Sequence, residues 1–193
     1  RSWRLRWRKP LDMWASPLRL RRYLSSPQAV GRTCLSTPYL SMRRSEVAYL
    51  AGMAVAGCVV EVKPYLEPWL RSIGIQVSDG RAELPRKFCR YTPKTLLEHL
   101  YFIKGAFEAH GEFFSGDPHG GDVVIIFKTG ARKLVKSLRL LGLDPLETTD
   151  EGGAKRFIVL YKRRDIQRFL RVVKPVVEDA VVAKLLGLCK QRP

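Results

Sequence analysis

The sequence has no asparagine and only four glutamines in 193 residues. A shortage of labile amides suits a thermophilic host, and GC-rich coding gives the same bias. Acid is scarce as well, with 18 Asp and Glu against 35 Lys and Arg, a net charge of +17. There are four cysteines, Cys34, Cys58, Cys89 and Cys189, with no C-x-x-C among them. Zinc sites need clustered ligands and small secreted folds need denser cysteine, so neither is indicated. Three of the four sit in apolar runs and read as small core residues. The longest uncharged apolar stretch, Val47 to Val60, has 14 residues, too short to span a bilayer. The expectation is a soluble, cytoplasmic, prokaryotic protein, of a thermophilic archaeal kind, with no membrane partner.

Hydrophobic residues make up 46% of the chain and aromatics 10%, enough for a folded core rather than disorder. The excess positive charge points to polyanions as partners. It is unevenly placed. Residues 1–44 hold eleven basic residues against Asp12 alone, a net +10, and residues 45–193 keep +7. The plain alternative, a solvated basic surface, fits less well than a nucleic-acid surface.

Residues 1–44 are rich in Arg, Trp, Ser and Pro, and Pro10, Pro17, Pro27 and Pro38 interrupt any periodicity. This stretch is expected to be a disordered basic arm or an upstream extension of the reading frame, since Met42 immediately precedes the folded pattern. A mitochondrial-type presequence covering residues 1–41, with an organellar location, is the alternative. From Ser45 a helix is expected to about Gly57, with Ser45 as its N-cap, then a strand over 58–63. A helix opened by Pro64 ends near Gly74. Strands are expected at 75–78 and 87–91, and a helix from Pro93 to about His110. Residues 115–121 read as a turn and 123–127 as a buried strand. A helix over 131–141 turns Arg132, Lys133, Lys136 and Arg139 to water. Strands near 146–149 and 157–161 flank a Gly-Gly turn. A helical region from Arg163 to about Leu186 is broken or kinked at Pro175. Helices alternating with antiparallel strands make the class α+β.

Parts of this pattern occur twice. Tyr49–Gly57 and Phe102–Gly111 each hold two small residues four apart, Gly52 with Ala56 and Gly105 with Ala109. On a helix both members share one face, and such a face lets two backbones approach closely. Leu70-Arg71-Ser72-Ile73-Gly74-Ile75 returns as Leu138-Arg139-Leu140-Leu141-Gly142-Leu143, each a helix end closed by glycine. Lys87-Phe88-Cys89-Arg90-Tyr91 is taken to return as Arg156-Phe157-Ile158-Val159-Leu160. The second copy is longer by a hairpin-like stretch, Glu112 to Lys128, which the first compresses into 58–62.

Both copies resemble the LAGLIDADG signature, and residues 45 to about 180 resemble the LAGLIDADG homing endonucleases. The resemblance implies two αββαββα-like repeats around a pseudo-two-fold helix pair, the first repeat (45–93) shortened and the second spanning 94–193. Gly52, Ala56, Gly105 and Ala109 would form the helix-pair interface, in a monomer with internal pseudo-symmetry. In that family the eighth motif position is an acid, one from each half, and the two hold divalent ions over the scissile phosphates. Here that position is Gly57 in one copy and His110 in the other, neither a hard oxygen ligand suited to magnesium. Glu108 and Glu61 are weak substitutes, and Glu108 reads first as a solvated or capping acid. Glu112 also lies next to the expected site, and His110 reads first as structural. His119 with Asp117 and Asp122 reads as an exposed turn rather than a metal cluster. The expectation is therefore no catalytic residues, no metal site and no cofactor, with Mg²⁺ required only if cleavage survives.

The favoured reading is a protein that binds double-stranded DNA without cutting it. An RNA maturase assisting intron splicing and an active metal-dependent endonuclease are the alternatives. A LAGLIDADG-like domain without nuclease activity also occurs in bacterial sporulation regulators. Duplex readers turn Arg, Lys, Gln and Asn into a major groove, whereas RNA binders more often show stacking aromatics. Lys63, Arg86, Arg90, Lys128, Lys155 and Lys162 are the expected groove-facing residues. Phe88, Phe127, Phe157 and Tyr161 alternate with them and are expected mainly in the core, which favours duplex DNA over RNA.

Overall fold

The computed structural model describes residues 42–115 and 123–175. The basic arm, the turn with Asp117, His119 and Asp122, and the chain after Pro175 lie outside the described residues. The first half runs through helix α1 (Arg44–Met53), strand β1 (Val59–Glu61), helix α2 (Glu67–Ser72), strands β2 (Val77–Ser78) and β3 (Arg81–Glu83), and helix α3 (Arg86–Arg90). The second runs through α4 (Leu96–His110), β4 (Gly111–Ser115), β5 (Val123–Phe127), α5 (Arg132–Leu140), β6 (Leu146–Thr149), β7 (Arg156–Leu160) and α6 (Arg163–Val173). Two antiparallel sheets result, with orders β1-β3-β2 and β4-β5-β7-β6. Superposing the orders pairs β1 with β5, β3 with β7 and β2 with β6. The strand without a counterpart in the first half is β4.

Local chemistry explains the boundaries. At the start of α1, the Arg43 backbone N–H donates to Glu46 Oε2 at 2.8 Å, so the cap is Arg43 and the expected cap, Ser45, lies inside the helix. The helix stops at Met53 rather than near Gly57. Ala56 and Gly57 are exposed, and another turn there would bury nothing to offset its ordering. The helix α4 starts at Leu96 rather than Pro93 because Thr95 Oγ1 accepts from the Glu98 N–H at 3.2 Å. The Glu98 carboxylate in turn accepts from the Lys94 N–H at 2.7 Å and the Tyr91 hydroxyl at 2.9 Å. Thr95 and Glu98 thus have capping-box spacing. The α6 helix ends at Val173, with Lys174 left-handed at φ 50° just before Pro175.

The two helix ends closed by glycine match bond for bond. The Ile75 N–H donates to Leu70 O at 3.0 Å and the Leu143 N–H to Leu138 O at 3.1 Å. Gly74 and Gly142 follow at φ 81° and 70°. Both are Schellman closures, which a residue with a Cβ adopts only with strain.

The third expected match is corrected. Residues 86–90 form a helix, not a strand, and the counterpart of β7 is β3. Phe88 alone is buried in this segment among exposed Arg86, Lys87 and Arg90. One buried residue in five does not distinguish a strand from a helical turn. A distant side chain also favours the helix: Lys133 Nζ donates to the carbonyls of Arg90 and Tyr91 at 3.3 and 3.0 Å. Cys58 and Cys89 are also corrected, from separate core thiols to a disulfide across a sequence separation of 31. Antiparallel pairing of β1 with β3 brings them together. Cys58 O accepts from the Leu84 N–H at 2.7 Å, and α3 begins two residues later.

The core lies between the helices and one face of each sheet. Phe107 is its hub in the second half, meeting Phe113, Phe127 and Phe169 edge-on at centroid distances of 5.1, 5.9 and 5.2 Å. The helices α1 and α4 cross at two glycines. A Cβ added to Gly52 would stand 2.0 Å from Phe102 O, and one added to Gly105 would stand 2.0 Å from Tyr49 O. Backbone carbonyls cannot move aside as side chains do. Ala56, expected in this seam, lies past the end of α1, and Ala109 is only half-buried. Replacing Gly105 with Leu is expected to force the helices apart and to cost more than the ~1–3 kcal/mol typical of overpacking. Urea denaturation measures this as a sharply lowered midpoint, and a wild-type midpoint would show that the helices do not meet at this residue.

Candidate nucleic-acid interface

The site begins at the end of the helix pair, where the motif's eighth positions lie. Gly57 sits in the turn after α1, exposed, with open space where a side chain would go. His110 is the last residue of α4, and its Nε2 lies 2.7 Å from the carbonyl oxygen of Met53, the last residue of α1. A carbonyl only accepts, so the ring donates through Nε2–H. It satisfies a carbonyl that the end of α1 leaves open, on the neighbouring helix rather than its own.

Glu108 is not solvated. It is 3% exposed and accepts a hydrogen bond from the Tyr49 hydroxyl across the helix pair. Burial, and then the charge of Glu108, push the Tyr49 hydroxyl well above the usual 10. The Tyr49 hydroxyl therefore keeps its proton and donates it to Glu108, a buried polar link between two otherwise apolar helix faces. Glu61 lies on the exposed side of β1, and its charge acts on the His110 ring. Glu112 is paired with Lys128 at 2.6 Å. Among the described residues, no three His, Cys, Asp or Glu side chains are grouped to hold an ion. The residues at these positions do not fit a divalent metal: Gly57 brings no donor, the His110 Nε2–H is directed at a carbonyl, and Glu108 is turned inward to Tyr49.

The strand faces differ from expectation. In β5 and β7, Ile125, Phe127, Ile158 and Leu160 point to the core. By register, the opposite face of the second sheet carries Phe114, Val124, Ile126, Phe157, Val159 and Leu146, with Thr148 and with Glu112 in its ion pair to Lys128. Phe114 and Leu146 on this face are 53% and 51% exposed. It is a mainly apolar surface with aromatics, and the ion pair of Lys128 with Glu112 is at its edge strand. The first sheet's outer face holds Val59, Glu61, Ser78, Arg81 and Glu83, two acids against one base. Phe88 and Phe127 are in the core as expected, whereas Phe157 is not, and Tyr161 is 49% exposed.

The six expected groove-facing cations are spread over helices, loops and strand ends. Arg86 and Arg90 are on α3, a helix, and Lys63 lies in the loop before α2. Lys128 follows β5 and is held by Glu112. Lys155 is in the β6–β7 turn, and Lys162, at the start of α6, is bound to Asp144.

The charge is concentrated on the outer helices. In α5, Arg132, Lys136 and Arg139 are exposed at i, i+4 and i+7, one face of a helix. They line an open cleft of about 610 Å³ with Arg156 and Glu147 at the sheet edge. Register places Glu147 and Arg156 on the core-facing side of their strands, so the cleft is on the helix side of the sheet. In α6, Arg164, Arg168 and Arg171 repeat the spacing and line a second cleft of about 420 Å³. The cations of α5 are legible in the sequence as a wet helix face. Their significance depends on the strand face being apolar, which needs the register.

No family model and no curated protein sequence matches the chain. Solved structures do match. The N-terminal LAGLIDADG domain of DUF199/WhiA aligns at a TM-score of 0.54 and 15% identity, covering 82% of this chain and 98% of that domain. Full-length DUF199/WhiA from Thermatoga maritima aligns at 0.51 and 14%, covering 79% of this chain and 63% of that protein. I-DmoI, in complex with DNA and Mn, aligns at 0.45 and 16%, covering 69% and 99%. At these identities the likeness is one of fold, and the fold is the LAGLIDADG fold. Among the described residues no helix is long and apolar enough to cross a membrane.

His110 and the buried His99 both sit below the usual histidine value of 6.5. Burial is the main cause for each, opposed at His110 by the Met53 bond and added to at His99 by the charge of Lys136. Each therefore binds protons less readily folded than unfolded. Stability is complete above about pH 6.5 and is lost as pH falls through the folded values. Denaturation midpoints are expected to drop from pH 7 to pH 5, and His110→Gln, which keeps a donor but cannot titrate, to drop less. An equal drop in both proteins would remove His110 from the effect.

Proposed function

We propose that this protein binds nucleic acid, duplex DNA in the first instance, on a LAGLIDADG scaffold without cleaving it through that fold's paired-acid metal clamp. The observation that carries this reading is the His110–Met53 bond opposite the bare Gly57. The place where two carboxylates would face the scissile phosphates is built as a helix cap. The binding half of the reading rests on charge, since residues 45–193 hold +7 without the basic arm.

Recognition of this kind is dominated by phosphates, because neither strand face offers an array of donors to base edges. Affinity should then be largely indifferent to sequence and steep in salt. The exposed Phe114 and half-buried Phe157 favour a second reading, in which bases of single-stranded RNA stack on the strand face. That reading fits a maturase.

Residues 42–193 are expected to bind a mixed-sequence duplex at low salt, with log K falling by roughly 0.9 per neutralised phosphate for each tenfold rise in salt. Fluorescence anisotropy with the truncated and full chains measures it. Loss of all affinity with residues 1–41 would make the arm the binder. Preference for single strands, lost in Phe157→Ala, would favour the second reading.

A further inference from the structure

The charge pattern of α5 is unfavourable for a helix considered by itself. Its first turn contains Arg132 and Lys133 and no acid, against the positive end of the helix dipole. Arg132, Lys136 and Arg139 then repel one another at one-turn intervals along a single face. Among the described residues, no ion pair holds Arg132, Lys136, Arg139 or Arg156, although Glu147 shares their cleft. The core side of the same helix is conventional, with Leu134, Val135 and Leu138 buried. Packing therefore does not require the cations, and a polyanion on the wet face would relieve their repulsion.

A second feature extends the pattern. Arg164, Arg168 and Arg171 form the same i, i+4, i+7 stripe on α6. The Arg168 guanidinium lies against Gly142, within 2.9 Å of where a Cβ on that residue would be. Gly142 closes α5, three residues after Arg139, so the two stripes converge at the α5–β6 turn. Arg132, Lys136 and Arg139 place one cation about every helical turn, a rise of about 5.4 Å. That suits a chain of phosphates rather than one isolated anion.

We propose that these two stripes form the phosphate-binding track of the protein, on the helix side of the second half. The ligand class is the phosphodiester backbone of duplex nucleic acid. The inference rests on the reading above that the protein binds nucleic acid, and it moves the contact from the strand saddle to the outer helices. The apolar strand face supports the move, because phosphates gain nothing from Phe114, Ile126 or Val159.

The test compares the full 193-residue chain with R132Q/K136Q/R139Q and with K128Q/K155Q, on a mixed-sequence duplex between about 50 and 200 mM salt. The helix-side variant is expected to lose roughly two to three units of salt slope. Its thermal midpoint is expected to stay equal or rise, because the substitutions remove repulsion from an exposed face. An unchanged slope in this variant, or a larger loss in K128Q/K155Q, overturns the track while leaving nucleic-acid binding intact. If the wild-type chain shows no salt-dependent duplex binding at all, the parent reading fails first. Calorimetric titration with ATP gives the remaining arm. Saturable uptake of one ATP per chain, abolished by R132Q/K136Q/R139Q, would assign the cleft to a free polyphosphate and overturn the backbone assignment.

Discussion

Two backbone contacts, Gly52 against Phe102 O and Gly105 against Tyr49 O, set the separation of α1 and α4. Each glycine meets the carbonyl of the residue three before the other glycine, so the crossing is symmetric although the halves around it are not. Close approach lets the Tyr49 hydroxyl reach Glu108 and the His110 ring reach Met53 O. A wider crossing would leave a buried carboxylate without the Tyr49 bond and a helix end uncapped, each unfavourable in an apolar setting. The seam is therefore held by steric fit at its centre and by polar links beside it. It has become a structural junction at the positions where the fold family places metal-binding acids.

Around this junction the two halves have diverged in opposite ways. The first half lacks the strand equivalent to β4 and is tied by the Cys58–Cys89 disulfide. Closing a loop of that size removes roughly 3–4 kcal/mol of unfolded-chain entropy in the simplest account, useful for a sheet of two- and three-residue strands. The second half keeps all four strands and the aromatic cluster around Phe107. It shows a mainly apolar strand face, while Arg132, Lys136 and Arg139 on α5 and Arg164, Arg168 and Arg171 on α6 form exposed cationic stripes. A saddle that reads bases would place polar and basic groups on the strands. In the second half of this molecule the exposed cationic stripes lie on α5 and α6 instead.

Much of this was legible in the sequence, and the gaps have identifiable causes. The glycine pair, the two Schellman closures at Gly74 and Gly142, and the strands at 146–149 and near 156–160 follow from short-range rules of spacing and turn chemistry. The strand expected at 87–91 is instead α3 through Arg90, because one buried Phe in the segment fits either element and the Lys133 bonds that favour the helix come from 42 and 43 residues away. Cys58 and Cys89 were misread for the same reason: pairing of β1 with β3, not spacing, brings them together. None of the six expected groove-facing residues lies within a strand, and Arg86 and Arg90 are on α3. Lys128, Lys155 and Lys162 flank strands, but flanking does not reveal which face a strand shows to water. Glu108 was read as solvated because periodicity cannot show that Tyr49, on another helix, supplies its hydrogen bond.

The central claim is that the end of the helix pair is a cap and not a metal clamp. Its most direct test is cleavage of a randomised library of duplex sites by the full chain with magnesium or manganese, read by sequencing the ends. No metal-dependent ends above background are expected. Metal-dependent ends that disappear in His110→Ala or Glu108→Gln would contradict it and would identify those side chains as a working site.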